Sequence, residues 1–427
     1  MSNSLISTMT TRHRHYVLLM VTLVFVVNFL DRQILSILLQ PIKLEFHLSD
    51  SALGLLAGSA FAVMYATLGV PLGLIADRVN RRNIIAGSLA LFSVMTLFCN
   101  FATSFVQLAL ARVGTGIGEA GTGPSINSII ADLYPPKERA TALAIYSSGL
   151  NVGLLIAFFG GGYIAQHYGW RAAFLASGIP GLILVILLLL TVEEPKRGRS
   201  DGLADQTAAP GLLATARFLW SQRSFRFIAL GTSMSSFGGY AGIAFVPSFL
   251  ARSHGMSPIQ IGVLLAITTG VFGYIGTAVA GIIADRVGKV DLGRTMLVPV
   301  FATFVGVAFA PIFYLSRSLT WTIVANCIPS LMGASYLGPA YAATQGLVPL
   351  RMRATAAAIL LFVLNIIGLG LGPQTVGFIS DLLQPSLGSD SLRWALLSTV
   401  ITALVGAYCY WQASRMLQKD MSRVLGT

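Results

Sequence analysis

Apolar runs of membrane-spanning length alternate with short breaks of glycine, proline or charge along the whole 427-residue chain. Twelve runs can be marked, at about 16–39, 51–76, 84–102, 104–133, 140–167, 171–191, 225–251, 258–284, 294–315, 320–347, 354–383 and 392–416. A bilayer core of ~30 Å takes about 20 apolar residues as a helix, so each run predicts one crossing. One connection is long. Val192 to Ser224 opens with Glu-Glu-Pro-Lys-Arg-Gly-Arg and has the composition of a linker. It divides the chain into residues 1–191, a connection over 192–224, and residues 225–427, with six runs on either side. Within the connection, Gly211 to Trp220 mixes apolar and basic residues in a way that suits either an amphipathic helix on the membrane surface or a disordered linker. The pattern as a whole predicts an all-α integral membrane protein of twelve transmembrane helices.

The two halves repeat one another. Gly73-Leu-Ile-Ala-Asp-Arg-Val-Asn-Arg-Arg, between the second and third runs, returns 208 residues later as Gly281-Ile-Ile-Ala-Asp-Arg-Val-Gly-Lys. Asp285 and Arg286 stand there in the places of Asp77 and Arg78. A second set, Pro135, Arg139, Ala140, Thr141 and Asn151, is matched at an offset of 214 by Pro349, Arg353, Ala354, Thr355 and Asn365. Two separate matches in the same topological frame predict an internal duplication and two pseudo-symmetric halves.

Composition agrees with membrane insertion and removes other classes. The chain is 55% hydrophobic and 10% charged, against about a quarter charged in average soluble proteins. Its net charge of +12 does not indicate nucleic-acid binding, because no soluble domain is left to carry a basic face. With the N-terminus in the cytoplasm, 21 of the 28 Lys and Arg fall on inner segments, five on outer loops and two within the membrane. That bias puts both termini inside. Cys99, Cys327 and Cys409 all lie in apolar runs and read as packing residues, not a disulfide or metal set. The first apolar run has no cleavage site and outlasts a signal peptide's core, so it is taken as the first membrane helix.

Four charges cannot be assigned to loops: Asp31 and Arg32 in the first helix, Arg112 and Glu119 in the fourth. Charge at mid-membrane costs several kcal/mol unless it faces a cavity or a partner, which makes these residues functional candidates. Arg112 and Glu119, seven apart, share a helix face. At ~1.5 Å per residue, Asp31 and Arg112 fall at similar depth, so a pair between them is expected. The segment Gly116-Ile-Gly-Glu-Ala-Gly has the spacing of a dinucleotide fingerprint but lacks the strand and βαβ unit that give it meaning; its glycines, like Gly368-Leu-Gly-Leu-Gly, read as helix-packing positions. His13, His15, His47, His167 and His254 fall in loops or tails, no nucleophile and base converge, and neither a cofactor nor a metal is expected. The rival class, a membrane-embedded lipid enzyme or sensor, would need a catalytic cluster or a sizeable soluble domain.

Gly73, Asp77, Arg78, Arg81 and Arg82 resemble the signature loop between helices 2 and 3 of the major facilitator superfamily, and the resemblance spans nearly the whole chain. Arg112-Val-Gly-Thr-Gly-Ile-Gly-Glu-Ala-Gly-Thr-Gly-Pro-Ser-Ile, Asp132-Leu-Tyr-Pro-Pro-Lys-Glu-Arg and Asn28-Phe-Leu-Asp-Arg resemble its spinster branch, whose members move lysophospholipids and sphingosine phosphate. The resemblance implies an alternating-access transporter with helices 1 and 4 lining a central cavity. It also implies a gate on the cytoplasmic side, in which Asp77 faces the N-terminus of helix 11 near Ala354 and gains ~0.3–1 kcal/mol from the helix dipole. Asp285 would make the mirror contact to helix 5 near Thr141, with Arg286, Arg139 and Arg353 at the same level; the plainer alternative is that these loops only supply inner positive charge.

Asp31, Arg112 and Glu119 are expected to couple protons. Glu119, with no cation adjacent in sequence, would titrate, and Arg112 would change partner between Asp31 and Glu119; the alternative is a permanently paired polar knot that fixes packing. Substrate contacts are expected from Arg32, Tyr65, Tyr146, Asn151, Ser235, Tyr240, Tyr336, Tyr341 and Asn365. The expected cargo is a lysophospholipid or related anionic amphipath, with a small organic anion or a hydrophobic drug as alternatives. The expected setting is a monomer in the inner membrane, with protons and membrane lipids as its other partners.

Overall fold

The computed structural model describes residues 11–76, 78–195, 211–289 and 291–425. Asp77, Val290 and 196–210 of the central connection lie outside the described residues, and with Asp77 goes the expected gate contact to helix 11.

Twelve helices cross: α1 Thr11–Phe46, α2 50–76, α3 Arg81–Phe101, α4 105–133, α5 136–168, α6 170–191, α7 Arg223–His254, α8 Pro258–Gly288, α9 Leu292–Leu315, α10 319–346, α11 353–387 and α12 391–425. The amphipathic segment of the connection is helical over Leu212–Ser221 and packs against α7 and α11. Eight stretches are apolar and long enough on length and composition to cross a membrane, and two of them, Lys137–Thr191 and Arg353–Arg423, each hold two crossings. Between α5 and α6 the chain turns at Gly169, whose φ of 83° and ψ of 168° suit a residue without a Cβ.

The two crossings absent from those eight are α4 and α10, and each is interrupted. α4 stops at Glu119 and restarts at Thr122; α10 stops at Met332 and restarts at Leu337. These breaks are counterparts under the sequence repeat. The duplication shows again in a rarer feature. Four of the helices that meet across the two halves each contain one π-helical stretch: Leu55–Ser59 in α2, Ile156–Gly160 in α5, Ala266–Phe272 in α8 and Asn365–Leu371 in α11. Such turns are uncommon and concentrate at functional positions.

With an even number of crossings, α1 begins and α12 ends on one side, here called the terminal face. The halves are joined on the opposite face. There Asp50 at the start of α2 is fully buried; both Arg252 amino groups reach its carboxylate at 2.7 and 2.8 Å, Lys43 Nζ at 2.5 Å and the Ser380 hydroxyl at 2.7 Å. Asp381 of α11 accepts the backbone N–H groups of Asp50 and Ser51, each at 2.8 Å, and the Ser51 hydroxyl at 2.5 Å. A carboxylate from one half thus caps the first turn of a helix in the other. α5 and α8 approach backbone to backbone: a Cβ on Gly262 would lie 2.2 Å from the Phe158 carbonyl oxygen. Among the described residues, the hydrogen bonds identified between the halves fall on this opposite side or midway along the helices, as with Ser59 to the Gly370 carbonyl at 2.8 Å.

Candidate transport site

Four side chains of the first helix and its neighbours define the centre. On α1, Asn28, Asp31 and Arg32 follow a three- and four-residue spacing and share one face. Asp31 is fully buried and receives Arg112 Nη1 at 2.8 Å and the Thr96 hydroxyl at 2.8 Å. The expected pair between α1 and α4 therefore forms, and α3 completes it. Arg32 makes a second buried ion pair, to Glu119 Oε1. The sequence reading has Arg112 as the cation that Glu119 exchanges with Asp31 and places Arg32 among the substrate contacts; in this structure Glu119 is held by Arg32. One step along α1 turns a side chain by about 100°, so adjacent Asp31 and Arg32 reach different levels of α4, where Arg112 and Glu119 lie two turns apart. Asn28 Nδ2 donates to the Thr122 hydroxyl at 3.0 Å, and that hydroxyl donates to the Glu119 carbonyl at 2.8 Å, tying the break in α4 to α1.

Aromatic rings pack against both cations. The Arg32 guanidinium lies 4.8 Å from the centroids of Phe61 and Tyr65 and 5.1 Å from that of Phe29; Arg112 lies 5.5 Å from Phe61. Phe61 is thus shared by the two ion pairs, and contacts of this kind contribute about 2 kcal/mol or more when desolvated. Tyr240 of α7 reaches the same guanidinium from the other half. Arg32 Nε, Arg112 Nε, Glu119 Oε2 and Asn28 Oδ1 are buried with no hydrogen-bond partner among the described residues. Buried polar atoms left over at the meeting point of two ion pairs can exchange partners when a proton or an anion arrives.

The other expected substrate residues divide. Tyr65 and Tyr240 lie against Arg32, and Tyr341 and Tyr336 neighbour Tyr240. Tyr146 stacks 4.4 Å from Phe25 inside the apolar core of the first half, 6% exposed. Ser235 and Tyr336 line a cavity of ≈280 Å³ among α7, α8, α9, α10 and α12 of the second half, with Phe158 of α5 on one wall. Asn365 is buried where the π-helical stretch of α11 begins, and Asn151 lies half-buried on α5.

Around the repeated loops, Arg81 is buried and holds Asp132 at the end of α4, Glu194 at 2.8 Å, the Ser128 hydroxyl at 2.8 Å and the Pro195 carbonyl at 2.8 Å. Arg82 donates to the Val192 carbonyl at 3.0 Å and its backbone N–H to Glu194 at 2.9 Å. Both arginines therefore anchor the start of α3 to the exit of α6 within one half. Arg139 donates to the Ala131 carbonyl at 2.8 Å. Gly73 lies beside the Pro124 ring of α4, and Arg78, Asp285, Arg286 and Arg353 are exposed. Asp285 and Arg286 form no ion pair among the described residues.

The glycines of the apparent dinucleotide fingerprint are packing contacts: a Cβ on Gly116 would lie 2.5 Å from the Phe61 carbonyl oxygen, and one on Gly118 2.5 Å from the Phe92 nitrogen. The three cysteines are unpaired, and no His, Cys, Asp and Glu cluster that could hold a metal occurs among the described residues.

Two halves of six helices, joined on one face and enclosing buried ion pairs, are the architecture of a multi-pass membrane transporter. The family profile of the Major Facilitator Superfamily matches residues 21–373, and the chain belongs to that superfamily. Within it the chain is spinster-like, and it is a transporter, not an enzyme. A bacterial homologue of the human lysosomal transporter spinster, solved in an inward-facing and unoccupied conformation, superimposes with a TM-score of 0.89 at 31% identity, covering 96% of this chain and 99% of the other. Its inward-facing occupied form gives 0.86. An MFS-type efflux pump of Mycolicibacterium smegmatis is 35% identical over 404 residues, 93% of this chain and 92% of the pump. The sphingosine-1-phosphate transporter SPNS2 of Xenopus tropicalis is 29% identical over 391 residues, 87% of this chain and 75% of that protein.

Proposed function

We propose that this protein is a proton-coupled transporter of a single-chain anionic lipid, a lysophospholipid or a close relative. It works as a monomer in the inner membrane with both termini in the cytoplasm, the orientation favoured by the distribution of its Lys and Arg. The observation that carries the coupling is the double ion pair on Phe61, with Glu119 keeping one carboxylate oxygen unpartnered. A proton taken up by Glu119 cancels the charge that holds Arg32. The guanidinium, already flanked by Tyr65 and Tyr240, then becomes available to an anionic headgroup. Arg112 and Asp31, cross-tied by Thr96, stay as the fixed reference against which that exchange takes place. Binding of proton and anion thus support each other through one arginine, and neither need leave a buried charge alone.

The cargo class rests on the surroundings of Arg32. The cavity that continues from Tyr336 into the second half is lined chiefly by Gly, Val, Ala, Phe and Met, which suits an acyl chain. A transporter of sphingosine-1-phosphate, also a single-chain anionic lipid, is among the relatives. A second reading, export of hydrophobic drugs, is favoured by the efflux-pump relative. The two are separated by proteoliposome flux. The lipid reading expects proton uptake driven by a lysophosphatidylglycerol gradient and absent in Glu119→Gln, with lysolipid binding retained; proton flux driven by a cationic dye and not by lysolipid refutes it.

A further inference from the structure

On the membrane side of the second half, α8 and α9 meet at their terminal-face ends through 292–296 and diverge above, with α10 behind the gap. The result is a groove of ≈550 Å³ whose walls carry Ile275, Val279 and Ile283 of α8 and Leu297 and Phe301 of α9, all 42% or more exposed. At its upper end α8 and α10 touch backbone to backbone, where a Cβ on Gly276 would lie 1.7 Å from the Leu331 carbonyl oxygen. From Gly276 to Val287 the groove runs eleven residues, ~16 Å along the helix. Its lower end holds Arg294, 63% exposed and only loosely matched by Asp291 at 3.8 Å.

This groove and the internal cavity share a wall. Ala302, Met332 and Ser335 line both, and two of the three sit at the break in α10. The partition is a methyl, a hydroxymethyl and one flexible thioether, backed by a turn in which the Ser335 N–H donates to the Met332 carbonyl at 3.2 Å and the Leu337 N–H to the Ala334 carbonyl at 3.3 Å. On its far side the cavity reaches Tyr336, which neighbours Tyr240, which in turn faces Arg32. Groove, cavity and tyrosines thus adjoin one another in turn from the membrane side, past Met332, toward the central cation.

We propose that the α8–α9 groove is a membrane-facing entrance for the acyl chain of an anionic single-chain lipid. Arg294 receives the headgroup at the leaflet surface, and Met332 is the flap through which the chain passes into the cavity of the second half. This proposal rests on the lipid reading above and adds the route. The occupant is set by charge and by the thinness of the partition: an exposed cation stands at the leaflet end of an apolar slot that only three side chains separate from the cavity.

A lysophosphatidylglycerol with a diazirine at the end of its chain, added to the full-length protein in nanodiscs, tests the route by residue-level mass spectrometry. The expected result is label on the cavity face of α9, at Thr303 and Val307, in addition to the groove face at Phe301. Ala302→Trp, which thickens the partition, should lower the Thr303 and Val307 label at least about tenfold while Phe301 label persists. Met332→Ala should raise the cavity label, and gives the same information should the tryptophan variant not fold. Cavity label unchanged in both variants overturns the route and leaves the lipid reading standing. No cavity label in the native protein overturns both.

Discussion

Replacing Asp381 with alanine removes the carboxylate that caps α2 from the other half. It accepts two backbone N–H groups at 2.8 Å and one hydroxyl at 2.5 Å. A hydrogen bond contributes ~0.5–1.5 kcal/mol net, and ~1.5–3 when one partner is charged. Asp381 is half-buried, so the low end applies, about 1 kcal/mol for each of three bonds less some solvent compensation, or about 2 to 3 kcal/mol in all. When the halves part on this face the freed N–H groups meet water, so the loss falls on the closed form alone. At ~1.4 kcal/mol per factor of ten the closed-to-open ratio should drop by about 30- to 150-fold. Spin labels at Leu44 and Ser386, both exposed and on opposite halves, report this directly once Cys99, Cys327 and Cys409 are replaced. Distances across this face in nanodiscs should show a new long component in Asp381→Ala. A distribution identical to the parent, in a variant that still folds, would refute the capping argument.

Arg112→Ala leaves Asp31 buried without its cation and should cost about 3 to 5 kcal/mol, read as a large drop in melting temperature in detergent; Arg112→Lys should recover only part, since a single ammonium cannot also lie flat near Phe61. Gly262→Val places a methyl against the Phe158 carbonyl, so it should wedge α5 from α8 and lengthen the same spin-label distances as Asp381→Ala. Arg81→Ala removes the guanidinium that joins α3, α4 and the exit of α6, and should lower thermal stability by about 2 kcal/mol or more while leaving lysolipid binding at Arg32 intact.

The parts of this arrangement that the residues disclose are those governed by length and hydropathy. Twelve crossings, two halves and four charges stranded in the membrane follow from the runs alone, and counting rise along α1 and α4 was enough to bring Asp31 level with Arg112. Rotation about the helix axis could not be obtained in that way. Arg32, 87 positions from Glu119, was taken as free because its partner depends on how α1 and α4 are turned toward each other. The network of Asp50, Arg252, Lys43 and Asp381 escaped notice for another reason: charges at helix ends read as loop charges. A signal is present, since cations are scarce on the face opposite the termini, and three of the five there are tightly engaged: Lys43 and Arg252 with Asp50, and Arg171 with Glu45 at 2.7 Å. The interruptions of α4 and α10 lay within unbroken apolar runs, marked only by Gly121 and Gly123 in the first and Pro329, Gly333 and Gly338 in the second.

A π-helical turn holds one residue more than the α-helical turn it replaces, so beyond it every side chain is rotated by about 100° from where an uninterrupted helix would have put it. In α2, α5, α8 and α11 the stretch nearest the closed face and the stretch nearest the terminal face are therefore indexed separately. The stripe of α2 that meets α11 at Asp50 and Ser51 is not the continuation of the stripe that carries Phe61 and Tyr65. Each of these helices is two rods set one residue out of register. Aligning such helices with straight ones from other families will misassign which residues face the cargo unless the extra residue is given its own gap.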